Sequence, residues 1–391
     1  MKCLQGNCAV PLTLVASLRK GRRGWHVHGL AARARLCYAV GIMSMICKHV
    51  EALAGYVPGE QPNFPGMVKL NTNENPYPPS PKVGEALKAF DWEALRRYPD
   101  PVCHAVREQI ARNNGCRPEQ VFVGNGSDEV LALFTRAFVE VGGTIGYFDP
   151  TYSLYSVLAD IRDAKGKPLP LNDDFSCPTP PADFSDVFVW TNPNAPTSRM
   201  APTEQIAAFA KAFHGVVLVD EAYADFAPAN CMALATATDN RNVLVMRTLS
   251  KSFSLAGIRF GYCVGPETLI EALYKIKDSY NMDRVAQAIG LAALSDLPYM
   301  QANVAKILAT RGRLAEALVA RGWQVQPSAT NFLFAAPPPA IDAATLFAAL
   351  RERHLYVRYF PGKVTGRYLR ITIGTDAETD ALLAALASLG A

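Results

Sequence analysis

The chain has 391 residues, half of them hydrophobic and 19% charged, a balance that fits a globular enzyme with a sizeable core and excludes a disordered or fibrous chain. Its formal net charge of +4 comes from its beginning. Residues 1–42 carry seven basic residues (Lys2, Arg19, Lys20, Arg22, Arg23, Arg33, Arg35) and no acid, leaving 32 basic against 35 acidic residues for the rest. A body with that balance gives no electrostatic reason to bind nucleic acid. Nine cysteines without Cys-x-x-Cys spacing point to a reducing, cytoplasmic setting and to no metal site.

The apolar stretch from Cys8 to Leu18 is too short to span a bilayer, and its positive charges follow it, so no membrane association is expected. The acid-free, Arg-rich leader fits an organellar import segment or sequence translated upstream of a start at Met43 or Met45. The second reading is adopted, and residues 1–44 are set apart from the fold. Residues 45–77 are rich in Pro and Gly without a long helical period, and are expected to wrap the surface and pack on a small C-terminal domain.

From residue 78 to 284, short apolar runs alternate with helical patterns, as a large α/β domain requires. Strands are expected at Val121 to Val123, Ile145 to Phe148, Val187 to Trp190, Val216 to Val219, Val243 to Met246 and Phe260 to Val264. Most end in polar residues, where open α/β sheets bind ligands. Residues 285–391 read as a smaller α/β domain, with helices at Arg284 to Ser295 and Tyr299 to Arg321. Its strands are expected around Asn331 to Phe334, Leu355 to Tyr359 and Tyr368 to Ile373.

Three motifs carry chemistry. Gly124-Asn125-Gly126-Ser127-Asp128-Glu129 joins a strand to a helix, with Ser127 expected as N-cap, and its backbone amides suit a phosphate; alone it is equally an ordinary capped turn. Val216 to Val219 delivers Asp220-Glu221-Ala222-Tyr223. A carboxylate there would keep a pyridine nitrogen protonated and the ring an electron sink, with Tyr223 donating to the ring phenolate; a bare Asp-Glu more often caps a turn. The third motif runs from Arg247 to Gly261 and sets Lys251 in a hydroxyl-rich turn after a strand. A desolvated lysine there can form a Schiff base, and Ser250, Ser252 and Arg259 supply donors for a phosphate.

Further motifs occur in order: Leu70-Asn71-Thr72-Asn73-Glu74-Asn75-Pro76, Arg97-Tyr98-Pro99, Pro150-Thr151-Tyr152, Asn192-Pro193-Asn194-Ala195-Pro196-Thr197 and Leu369-Arg370-Ile371-Thr372. With these the chain, from about residue 56 onward, resembles the fold-type I pyridoxal-phosphate aminotransferases, and among them the histidinol-phosphate aminotransferases. The resemblance implies a mostly parallel central sheet flanked by helices plus a smaller α/β domain. It implies pyridoxal 5′-phosphate held covalently by Lys251, with Asp220 at the pyridine nitrogen, Tyr223 at the phenolic oxygen and Tyr152 stacked on the ring. Gly126, Ser127, Asp128, Ser250 and Arg259 would hold the phosphate, Tyr98 would reach the phosphate of a neighbouring subunit in a homodimer, and Tyr56, Asn73, Arg358 and Arg370 would bind substrate. Transamination of L-histidinol phosphate with 2-oxoglutarate by ping-pong kinetics is the implied reaction.

One departure touches chemistry. The usual Pro-Asn-Asn-Pro-Thr-Gly reads Pro193-Asn194-Ala195-Pro196-Thr197-Ser198, so the asparagine expected at the phenolic oxygen is Ala195. Asn192 or Asn194 is the candidate substitute, and each is equally a turn residue. The rival functions are an aromatic amino-acid aminotransferase and a lyase of the same fold, such as a phosphothreonine decarboxylase. A catalytically silent relative is disfavoured, because Lys251 and Asp220 are both present.

Overall fold

The computed structural model describes residues 45–53, 55 and 59–391. The leader and Tyr56 lie outside the described residues. Residues 52–391 form a compact unit that holds a seven-stranded, a four-stranded and a two-stranded sheet.

In chain order the strands are β1 (Val68–Lys69), β2 (Val121–Gly124), β3 (Thr144–Asp149), β4 (Lys165–Pro170), β5 (Val187–Thr191), β6 (Val216–Asp220), β7 (Val243–Thr248) and β8 (Gly261–Val264). After them come β9 (Gln324–Val325), β10 (Phe332–Ala336), β11 (Leu355–Tyr356), β12 (Arg358–Tyr359) and β13 (Leu369–Thr372).

Seven strands form the main sheet in the order β2-β8-β7-β6-β5-β3-β4. Only β8 runs against its neighbours. Successive side chains of a strand point to opposite faces, and both faces of this sheet are covered. Val217 and Val219 pack into one core cluster, while Leu218 between them packs into the other. That double burial explains why β5, β6 and β7 are near-continuous apolar runs. β4 was not expected from the sequence. Its residues, Lys-Gly-Lys-Pro-Leu-Pro, look like a loop, and two prolines are tolerated because β4 is an edge strand bonded on one side only.

The second sheet is antiparallel, in the order β12-β13-β10-β9. The expected single strand from Leu355 to Tyr359 is broken at Val357. Its first half, β11, pairs in parallel with β1, and its second half, β12, pairs with β13. The segment after β1 then runs beside β13: Leu70 donates to the Tyr356 carbonyl at 2.7 Å and accepts from the Thr372 amide at 3.0 Å. Residues 68–73 are thereby fixed to the small sheet. The helix Arg284–Leu294 packs against Pro81–Lys88 and His104–Asn114, so its partners are helices that precede every strand of the main sheet in the chain. The 23-residue helix Leu297–Val319 follows it and packs on β9, β10 and the last helix, Asp376–Ser388.

Candidate active site

Parallel strands end together, so the ends of β2, β5, β6 and β7 bring distant residues to one edge of the main sheet. Asp220 is the last residue of β6 and Thr191 the last of β5; Ser250 and Lys251 follow β7 directly. A cavity of about 500 Å³ lies there, lined among others by Asp128, Tyr152, Asp220, Tyr223, Lys251 and Arg370. Ser127, Ser250, Arg259, Asn73 and Arg358 also line it.

Asp220 is buried. Its Oδ2 accepts from Tyr155 Oη at 2.7 Å and its Oδ1 from the Ala222 amide at 3.0 Å. Among the described residues no cation pairs with it. Burial pushes its carboxyl up to about 6, against the lowering effect of those two bonds. A buried acid in that state is set to receive a cationic ring nitrogen. Tyr155 Oη also lies 2.7 Å from Thr191 Oγ1, which fixes the carboxylate's orientation from the side. Sequence reasoning missed Tyr155. A tyrosine in the first turn of an apolar helix reads as core, and only the adjacency of the following strands brings it to Asp220.

Lys251 lies across the cavity, its Nζ donating to the Thr72 carbonyl at 3.2 Å. Burial, aided by Arg370 and Arg259 and opposed by Glu74 and Asp128, pulls the amine down to about 8. An amine so placed is ready to react with a carbonyl near neutral pH. Its turn is pinned from outside: Asn75 Nδ2 donates to the carbonyls of Lys251 and Ser252 at 3.1 Å each, and Ser252 donates to Asp225. Asp225 in turn faces Arg247, whose guanidinium donates two bonds to Glu221, at 3.0 and 2.9 Å. The side chain of Glu221 is fully buried, so this pair locks the ends of β6 and β7 together.

The residues expected to hold a phosphate come together at this turn, with two differences from the expectation. Gly126, not Ser127, is the N-cap of helix Ser127–Phe138, and the Gly126 amide donates to the Gly124 carbonyl at 2.8 Å. That leaves the amides of Ser127 and Asp128 in the first helical turn, where backbone N–H groups have no intrahelical partner. Gly126 has φ +82°, and a Cβ there would come within 2.8 Å of Arg259 Nη2, so glycine is required for this arginine to lie over the turn. Arg259 is held by Asp128 Oδ2 at 2.9 Å, and Asp128 Oδ1 accepts from Tyr152 Oη at 3.4 Å.

The opposite wall is cationic. Arg358 and Arg370 are direct cross-strand partners on β12 and β13. Their guanidiniums lie 5.3 and 5.2 Å from the ring centre of Phe360. Arg370 also lies 5.3 Å from the Phe332 ring and donates to the Asn71 carbonyl at 2.7 Å. A shared aromatic face lets two like charges sit side by side.

Three candidates do not reach the cavity. Asn194 spends its amide on its own loop and on the loop after β3, donating to Thr197 Oγ1 and the Pro150 carbonyl and accepting from Thr151 Oγ1. Asn192 is likewise used up, exchanging bonds with Ala201. Both are turn residues, and Ala195 is what lines the wall. Tyr98 is 75% exposed, stacked on Tyr280 with ring centres 4.3 Å apart, on the surface outside the cavity of its own chain. Among the described residues no group of three His, Cys, Asp or Glu could hold a metal ion.

A buried acid lacking a cation, a buried lysine of lowered basicity, two free helix amides under an arginine and a tyrosine hydroxyl facing the same space fit pyridoxal phosphate group by group. The family model for class I and II aminotransferases matches residues 65–386, and the chain belongs to that family. A histidinol-phosphate aminotransferase of Burkholderia pseudomallei is 45% identical over 348 residues, covering 87% of this chain and 97% of that protein. Another, from Syntrophotalea carbinolica, is 45% identical over 350 residues, 89% of this chain and 100% of that one. The solved histidinol-phosphate aminotransferase of Sinorhizobium meliloti in complex with pyridoxal 5′-phosphate superposes with a TM-score of 0.78 at 25% identity, covering 90% of this chain and 99% of that chain. Within the class, the chain is thus a member of the histidinol-phosphate aminotransferase family.

Proposed function

We propose that this enzyme transfers the amino group of L-histidinol phosphate to 2-oxoglutarate, giving imidazole acetol phosphate and L-glutamate in histidine biosynthesis, through two half-reactions with ping-pong kinetics. The observation that carries the donor choice is the pair Arg358 and Arg370, side by side across β12 and β13. A phosphate ester has more charge and more acceptor oxygens than a carboxylate, and two adjacent guanidiniums match it better than one. The relatives' activity supports the same donor.

Bound pyridoxal phosphate supplies an electron sink for the carbanion at the substrate's Cα. Asp220 holds the ring nitrogen protonated. Tyr223 donates toward the phenolic oxygen, and Tyr152 covers the ring. The Ser127 and Asp128 amides, Ser250 and Arg259 take the phosphate. Lys251 carries the cofactor at rest, and its released Nζ is the base that removes the Cα proton. Arg370 serves both half-reactions by binding the donor's phosphate and the acceptor's carboxylate, while Arg358 serves chiefly the donor.

The exposed Tyr98, unable to reach its own cavity, is read as contributing to the site of a second copy in a cytoplasmic homodimer. A donor panel with 2-oxoglutarate tests the function. Histidinol phosphate should give glutamate far faster than phenylalanine does, and phosphothreonine should release no carbon dioxide. Preference for phenylalanine, or acceptor-independent carbon dioxide release, would remove the proposal.

A further inference from the structure

Ala195 leaves the wall near Tyr223 without the amide expected there, and the hydrogen bonds around Tyr223 show where a replacement lies. Asn73 comes from the segment fixed to the small sheet, 150 residues away in sequence. It has φ +56°, a left-handed conformation that asparagine tolerates better than most residues. It is almost fully buried. Its amide N–H donates to Thr372 Oγ1 at 3.0 Å, and its carbonyl accepts from Asn331 Nδ2 at 3.1 Å.

Accounting for protons fixes the rest. Thr372 Oγ1 already accepts from the Asn73 amide, and its own proton goes to Asn73 Oδ1, also at 3.0 Å. The side-chain oxygen of Asn73 therefore faces Thr372, and its Nδ2 faces Tyr223 Oη at 2.8 Å. An NH₂ group can only donate, so Tyr223 Oη accepts this bond and keeps its own proton for another partner. Among the described residues nothing else takes that proton, and Tyr223 lines the cavity beside Asp220 and Lys251.

We infer that Asn73 replaces the asparagine missing at Ala195: it is the positioning residue that turns the Tyr223 hydroxyl into a donor toward the cofactor's phenolic oxygen. Where the lost asparagine would have donated directly, Asn73 acts through Tyr223. The inference rests on the site being a pyridoxal-phosphate site, not on which amino donor is used.

The test reads the visible absorption of the cofactor-loaded enzyme against pH. A donor to the phenolic oxygen weakens that oxygen as an acceptor, so the neighbouring proton on the nitrogen joining cofactor and lysine leaves at lower pH. Losing the donor moves the midpoint up. Asn73→Gly keeps the left-handed backbone and removes the amide; its midpoint should rise by about one pH unit, as in Tyr223→Phe. Asn73→Asp keeps the bond to Thr372 but presents an acceptor to Tyr223, and should shift at least as far. Because Asn73 acts through Tyr223, the double variant Asn73→Gly/Tyr223→Phe should shift no further than Tyr223→Phe alone. Ala195→Asn placed in the Asn73→Gly background should bring the midpoint back down. Unmoved midpoints in both Asn73 variants, or full additivity of Asn73→Gly with Tyr223→Phe, would overturn the inference. Borohydride labelling of Lys251 in the unaltered enzyme checks the cofactor assignment separately.

Discussion

The two walls of the cavity are built on different physical terms. On the main-sheet wall, Asp220, Lys251 and their neighbours are buried, and nearly every polar atom around them is fixed by a named bond: Tyr155 and Ala222 on Asp220, Asn75 behind Lys251, Glu221 on Arg247. On the small-sheet wall, Arg358 and Arg370 stand in register on two short strands and share an aromatic ring. The first wall sets pKa values by burial; the second offers positive charge to whatever enters. Chemistry common to many substrates resides where geometry is over-determined, and selectivity among them where charge is displayed.

The largest break should come from the first wall. On the proposed roles, Lys251→Ala would remove the base and the covalent anchor together, and transamination should fall by about 10⁴-fold in single-turnover assays, with cofactor still bound through its phosphate. Retained activity within tenfold would mean another lysine is the anchor. Next in size is the buried pair behind it. Glu221→Ala leaves the buried Arg247 only its longer contact to Asp225 at 3.5 Å, and should cost about 3 kcal/mol in chemical denaturation; a loss below 1 kcal/mol would show that the strand ends are not locked there.

On the second wall, Arg370→Ala should lower kcat/KM for both half-reactions by about 100-fold or more. Arg358→Ala should cost about 10- to 100-fold with histidinol phosphate and little with phenylalanine. Equal losses on the two donors would erase the division of labour between the arginines.

The smallest effect is a pH slope in cofactor-free protein. Burial raises Asp220 in the fold from the ordinary 3.8 of an exposed aspartate to about 6, so the folded state binds its proton more tightly than the unfolded state does. Stability from this group is full below about pH 4 and is lost as pH rises through about 6, on the order of 3 kcal/mol over that window. Asp220→Asn should lack this slope in melting curves between pH 4 and 7, and parallel curves for the two proteins would contradict the raised value.

Local pattern made much of this legible. The runs at β5, β6 and β7 are apolar because both sheet faces are buried, so the sequence alone marks them as strands and marks Asp220 and Lys251 as residues standing at strand ends. The glycine at 126 and the lysine turn carry their chemistry in adjacent residues, which is why they can be read without a structure. β4 could not be read, since an edge strand bonded on one side admits the lysines and prolines that elsewhere signal a loop.

Other features depend on contacts between segments far apart in the chain, and only the tertiary structure decided them. The break at Val357 follows from β1 claiming one half of a segment and β13 the other. The withdrawal of Asn192 and Asn194 from the cavity depends on Ala201 and Thr151 being within hydrogen-bond reach. Tyr155 at Asp220 and Asn73 at Tyr223 join residues separated by 65 and 150 positions. Periodicity and motif spacing report only what lies within a turn or a strand, whereas a hydrogen bond between two buried side chains is set by how whole elements pack.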